Sequence, residues 1–227
     1  RRARRYAGKF NVWTVNDSGQ ITQGLGWKSA DQMAALGYEQ IFNRDFNRDN
    51  LIEPTTIYGS AGDDVIDGTA LHEFIFAREG ADSINGGAGA DTIDGSDGND
   101  IIHGGNGNDS LIGGDGIDLI YGDMGNDIID GLNGADSLIG GDGNDTIYGG
   151  EGNDSIRAHD GDDFIFTGTG FNTVHGGSGN DNISSGNDSN TIFGGDGDDT
   201  ISGGDGVDIL RGDGGFDLIR GSGGNDT

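Results

Sequence analysis

The chain has 227 residues, with 40 Asp and Glu against 12 Lys and Arg, a formal net charge of −28, 49 glycines and no cysteine. No disulfide can hold it together, and so acidic and glycine-rich a chain would by itself stay disordered, because backbone entropy and self-repulsion both oppose collapse. Residues 1–58 carry eight of the basic and six of the acidic residues, which leaves four basic and 34 acidic residues, net −30, and 44 glycines in residues 59–227. That charge excludes a nucleic-acid footprint on the longer part and calls for a cation as a component of its fold.

Residues 1–9 form a basic lead, read as a solvated linker with anionic-surface binding as the alternative. The opening RRARRYAGKF lacks the apolar stretch of a signal peptide, and no apolar run approaches the length of a membrane span. Residues 10–58 are expected to form a small α+β head. FNVWTV (Phe10–Val15) reads as a strand, NDSG at 16–19 as a turn and QITQG as a second strand. Ser29 and Gln32 have capping-box spacing, and Met33, Leu36, Ile41 and Phe42 suit one face of a helix of about 14 residues. Trp13 and Trp27 are the expected core. The loop Asp45, Asn47, Asp49 has the first half of an EF-hand spacing, but Asn50 replaces the turn glycine and Thr56 the bidentate Glu. A calcium loop and a turn held by Asx-type hydrogen bonds both remain open there. With Trp13, Trp27, Tyr38, Glu39, Phe42 and that loop, the head resembles a tryptophan-rich domain appended to bacterial secreted proteins. Glu53–Pro54 ends it.

From Gly59 to Thr227 the chain keeps a nine-residue phase. Units such as GGNGNDSLI (104–112) and GGDGNDTIY (140–148) place glycines first, usually second, and fourth, an Asp sixth and an aliphatic residue eighth. Glycine with Asn and Asp suits the first six places to a tight turn, and the last three are expected to form a strand whose eighth residue faces the core. Strands so short are stable only when successive units stack around one interior. The units at Gly68, Thr167 and Ser185 have degenerate turns but keep Ile75, Val174 and Ile192 in the core column. The body holds 18 complete units. The chain stops within a repeat at GSGGNDT and is expected to be a piece of a larger protein.

The pattern G-G-x-G-x-D-x-U-x, held in one phase by more than a dozen units, resembles the RTX (repeats-in-toxin, hemolysin-type) calcium-binding nonapeptide family. The resemblance implies an all-β body, a right-handed parallel β-roll with two nonapeptides per coil and calcium between neighbouring turns on each edge, so that 18 units at about 4.8 Å between strands make a body roughly 43 Å long. It also implies the ligands: the carbonyls of places two and four and the Asp of one turn, with the carbonyls of places one and three and the Asp of the turn eighteen residues later. Along one edge these fall at Gly87, Gly89 and Asp91; Gly104, Gly105, Asn106, Gly107 and Asp109; Gly122, Asp123, Met124, Gly125 and Asp127; and Gly140, Gly141, Asp142, Gly143 and Asp145. They continue through Ala158, His159, Asp160, Gly161 and Asp163; Gly176, Gly177, Ser178, Gly179 and Asp181; Gly194, Gly195, Asp196, Gly197 and Asp199; and Gly212, Gly214 and Asp217. The other edge has Ser60, Gly62 and Asp64; Ala77, Arg78, Glu79, Gly80 and Asp82; Gly95, Ser96, Asp97, Gly98 and Asp100; and Gly113, Gly114, Asp115, Gly116 and Asp118. It continues with Gly131, Leu132, Asn133, Gly134 and Asp136; Gly149, Glu151 and Asp154; Gly204, Gly206 and Asp208; and Gly221, Gly223 and Asp226.

On this second edge Asn172 and Asn190 take the place of Asp, and Asp188 the place of the fourth glycine. An Asn supplies a neutral oxygen but no charge, so a metal-poor gap bridged by side-chain hydrogen bonds or water is expected there. About 13 calcium ions are then expected, seven on the first edge and six on the second.

No catalytic residue is expected. His72–Glu73 begins HEFIF and lacks the second histidine of a zinc-protease helix, no G-x-S-x-G elbow occurs, and the paired aspartates fall at places five and six of calcium turns. Ninth-place residues eighteen apart form the column His103, Tyr121, Ile139, Arg157, His175, Phe193, Arg211. Its six aromatic and basic members are a candidate face for an extracellular polysaccharide, against shielding of the sheet or packing on a neighbouring domain of a parent protein. Taken together, the resemblance implies a secreted bacterial module, exported by a type I system and folded by calcium outside the cell. The alternative is a glycan-binding or adhesion module similar to those of alginate epimerases.

Overall fold

The structure, a computed structural model, describes residues 5–6, 9–15, 21–28 and 55–227. The chain divides into Arg1–Thr55 and Thr56–Thr227. In the first unit β1 (Arg5–Tyr6), β2 (Lys9–Val15) and β3 (Ile21–Lys28) make an antiparallel sheet with register shifts beside Trp13 and Val15. Both expected strands are present, and the second runs on to Lys28. The expected turn at 16–19, the helix from Ser29, the Trp13 and Trp27 side chains and the loop of Asp45, Asn47 and Asp49 lie outside the described residues.

The second unit is a parallel solenoid of nineteen strands, from β4 (Thr55–Tyr58) to β22 (Leu218–Arg220). Strands alternate between two sheets: the even-numbered ones form a ten-stranded sheet, the odd-numbered ones a nine-stranded sheet. Within each sheet partners are eighteen residues apart, as in Leu111 beside Ile93 and Ile129, so one coil is two nonapeptides. Thr55–Tyr58, read from sequence as the end of the head, already belongs to the ten-stranded sheet.

Most strands are six residues long, such as β9 (Ile101–Asn106) and β10 (Ser110–Asp115), where three were expected. The reason lies at the first place. The ladder skips it, pairing Ile112 with Asp130 and then Gly114 with Leu132, and resumes over the next two residues of the turn. A bend at an inward-facing glycine thus turns the chain without ending its hydrogen bonding. Three-residue strands do occur, at β14 (Thr146–Tyr148), β16 (Phe164–Phe166), β18 (Asn182–Ser184), β20 (Thr200–Ser202) and β22.

The eighth-place column is the core, as expected: Ile75, Ile84, Ile93, Ile102, Leu111 and their successors to Ile201 are buried, with Val174 and Ile192 keeping it continuous through the degenerate units. The interior is thin, one aliphatic side chain per nine residues. Places six, eight and one alternate inward, so most of the aliphatic residues lie between a buried aspartate and a small first-place residue, with Glu73, Asn172 and Asn190 taking the aspartate's place before Ile75, Val174 and Ile192.

Candidate metal centre

The sixth-place aspartates face the interior. Asp82, Asp91, Asp100, Asp109, Asp118, Asp127, Asp136, Asp145, Asp154 and Asp163 are at most 2 % exposed. Each presents its two oxygens to different tasks. Oδ1 accepts the backbone N–H of the sixth-place residue one coil earlier, at 2.7 Å for Asp127 (from Asp109) and 2.8 Å for Asp118 (from Asp100). Oδ2 has no hydrogen-bond partner in thirteen of the described aspartates, from Asp82 to Asp208. A buried carboxylate oxygen without a partner costs about 1–3 kcal/mol or more, so a row of them demands a cation.

The surroundings fit calcium. A Cβ at the first place would meet that same Oδ2: 2.4 Å from Gly113 to Asp118, 2.4 Å from Gly122 to Asp127 and 2.3 Å from Gly140 to Asp145. The first-place glycines therefore keep open the cradle beside most of the carboxylates, while Ala77 and Ala158 stand at the first place before Asp82 and Asp163. Calcium takes six to eight oxygens from carboxylates and carbonyls in flexible geometry, which this donor set can supply. The third-place carbonyl is already engaged on one side. Asn106 O accepts the Gly89 N–H at 2.8 Å and Met124 O the Gly107 N–H at 2.8 Å, so only a second lone pair is left for a metal.

Backbone conformation sets where the turn carbonyls lie. Second-place residues have positive φ throughout the regular turns, and the five before Gly168 that are not glycine, Arg78, Ser96, Asp123, Leu132 and His159, sit in the left-handed well at φ between 66° and 82°. The fourth place is stricter. Gly125 has φ 136°, outside the left-handed well that other residues reach, and a Cβ there would lie 1.5 Å from Gly107 O of the coil below. Gly125→Ala is therefore expected to raise the calcium midpoint of folding sharply, at a cost of at least about 2 kcal/mol. Leu132→Ala at a second place should cost far less, and a calcium titration followed by circular dichroism compares the two.

Burial raises the pKa of the ladder carboxyls, opposed by the ladder hydrogen bond and reinforced by neighbouring carboxylates. Asp127, Asp136, Asp145 and Asp181 are pushed up to about 7 and Asp91, Asp100 and Asp163 to about 6. A carboxyl whose folded pKa exceeds its unfolded value binds more protons folded than unfolded. The ion-free roll thus gains stability as pH falls from about 7 towards 4, and loses it as pH rises through the folded values. Calcium has to displace those protons. The calcium midpoint is expected to rise between about pH 8 and pH 6, with proton release visible by calorimetry in buffers of different ionisation heat; a midpoint independent of pH would contradict the assignment.

The first turn of each row is built differently. Asp64 Oδ2 accepts the Ser60 N–H at 2.6 Å and the Ser60 hydroxyl at 2.9 Å, which hold its pKa down, and neither Ser60 nor Gly62 has a positive φ. The other row begins one coil before Asp91, at Glu73, which sequence reasoning passed over as part of HEFIF. Glu73 is fully buried, donates its N–H to Asp91 Oδ1 at 2.7 Å and accepts the Thr69 hydroxyl at 2.5 Å. The signal was available, since Glu73 stands eighteen residues before Asp91. Also unforeseen is an outer ladder at the fifth place, where Asn108 Oδ1 accepts the Asn126 N–H at 2.9 Å and Asn126 Oδ1 the Asn144 N–H at 2.8 Å.

The candidate glycan residues do share one outer face, on successive odd-numbered strands. His103 stacks on Tyr121 at 4.4 Å and His175 on Phe193 at 4.8 Å, while Arg211 lies over Phe193 at 5.6 Å. His103 Nδ1 is also 3.0 Å from Asp123 Oδ2.

The sequence profile of the RTX calcium-binding nonapeptide repeat matches residues 56–72, 67–102, 76–111, 103–138, 139–174, 175–210 and 202–227. The chain belongs to this family, whose repeats bind calcium, and its buried aspartate rows fit the calcium-binding turns of an RTX β-roll. Among curated proteins none matches the chain. No helix among the described residues is long and apolar enough to cross a membrane.

Proposed function

We propose that this chain is the calcium-folded module of a secreted bacterial protein, exported unfolded where calcium is scarce and closed into its roll outside the cell. The buried, unpartnered Oδ2 row carries the reading: the fold contains carboxylate oxygens that no group of the protein satisfies, and calcium supplies the missing partner at neutral pH, so folding waits for it. The module contributes stability to its parent and no catalysis, since its buried carboxylates are spent on the coil-to-coil ladder and the metal. Limited proteolysis tests this. Body produced in the bacterial cytosol should be digested rapidly in a chelator-treated lysate and become resistant in millimolar calcium; resistance already present in chelator would overturn it.

A second reading, binding of an acidic polysaccharide, draws support from the placement of charge. Two of the four arginines of residues 59–227, Arg157 and Arg211, stand in the column with His175 and Phe193, and among the described residues neither forms an ion pair. Against it, the stacked rings use their faces on one another, leaving edges for a sugar lying on the sheet. Affinity electrophoresis through polyuronate gels in millimolar calcium separates the readings: retardation lost in Arg157→Ala/Arg211→Ala supports the second, and none supports a folding module alone.

A further inference from the structure

We infer that Asn172 and Asn190 build a metal-free joint into the second calcium row, in which side-chain amides take the role that calcium has elsewhere. This rests on the calcium reading of the aspartate rows. The division of labour between the two carboxylate oxygens is what makes it possible. Asn172 Oδ1 accepts the Asp154 N–H at 2.7 Å, and Asn190 Oδ1 accepts the Asn172 N–H at 3.0 Å, so both keep the coil-to-coil ladder intact. In place of the Oδ2 that faces a cation, each has an NH2 group. Asn172 Nδ2 donates to Gly170 O at 3.2 Å and Asn190 Nδ2 to Asp188 O at 2.6 Å. These are fourth-place carbonyls, which in a calcium turn are ligands. The substitution therefore removes one ligand oxygen, occupies another and points donor hydrogens where the metal would sit.

The turn at 185–190 is rebuilt around this change. Neither Gly186 nor Asp188 has a positive φ, whereas the second place of every regular turn does, and so does the fourth except at Gly206. Asp188 instead turns its carboxylate to the Gly170 N–H at 2.8 Å, and the first-place Ser185 hydroxyl donates to Gly203 O at 2.5 Å. The turn at 167–172 retains left-handed glycines, Gly168 at φ 77° and Gly170 at φ 104°. Thus one asparagine sits in a turn that is otherwise ready for metal, and the other in a turn that is not. The joint also interrupts the chain of shared carboxylates, so the site of Asp208 and Asp226 loads independently of those from Asp82 to Asp154.

The test counts bound calcium by atomic emission after equilibrium dialysis of the parent and three variants. Asn172→Asp should gain one ion, between Asp154 and position 172. Asn190→Asp alone should gain none, and Asn190→Asp combined with Asp188→Gly should gain one. An unchanged count in Asn172→Asp folded as the parent, or a gain in Asn190→Asp alone equal to the double variant, overturns the inference. A parent that binds no calcium would instead defeat the reading beneath it. Should a variant fail to fold, hydrogen exchange in the calcium-loaded parent still decides: the Asn172 and Asn190 side-chain amides should be protected, and exchange at the rate of exposed asparagines would sink the proposal.

Discussion

In excess EGTA the repeat body is expected to be an expanded chain without the β-roll circular dichroism signal, and calcium should compact it in a cooperative transition. Residues 59–227 have a net charge of −30 and an interior of one aliphatic side chain per nine residues. Against that weak core stand thirteen buried carboxylate oxygens with no protein partner. At about 1–3 kcal/mol each, these exceed the net stability of about 5–15 kcal/mol that a domain usually retains. Calcium reverses the sign by turning each unsatisfied oxygen into a ligand. Magnesium should substitute poorly, because it demands a small octahedral shell that these wide turns do not offer. Small-angle scattering with circular dichroism across a calcium titration is the measurement, and a folded signal in chelator would refute the expectation.

Ile129→Asp should be as damaging as removal of several ions, whereas Asp130→Asn should hardly register. Ile129 is fully buried between Leu111 and Ile147 of the neighbouring coils and next to the Asp127 carboxylate row. A charge placed there has no partner, and breaking a core in this way costs about 3–5 kcal/mol. Asp130 points the other way, half-buried, and its Oδ1 only accepts the Leu132 N–H at 3.2 Å, which an asparagine oxygen also does. Calcium midpoints of the two variants should differ widely. Equal midpoints would mean that the inward direction of the strand has been assigned in reverse.

The sequence by itself determined the repeat, its phase and its chemistry. A period of nine held from Gly59 to Thr227 makes a stack of equivalent units, puts Ile75, Val174 and Ile192 into the core column even where turns degenerate, and marks the sixth-place aspartate columns that fit calcium. These are legible because each depends on residue type at a fixed spacing. The parts that stayed hidden depend on what lies one coil away. Strand length was underestimated because hydrogen bonding past the first-place glycine is made by the neighbouring coil and leaves no mark in the residues of the strand itself. The same holds for the split roles of Oδ1 and Oδ2, for Glu73 as the buried start of a row, and for the fifth-place asparagine ladder. Sequence foresaw a gap at Asn172 and Asn190 from missing charge. Only the tertiary structure showed that the amides close onto Gly170 and Asp188 carbonyls, because an asparagine that coordinates and one that plugs differ in which neighbour the side chain meets, not in the residue itself.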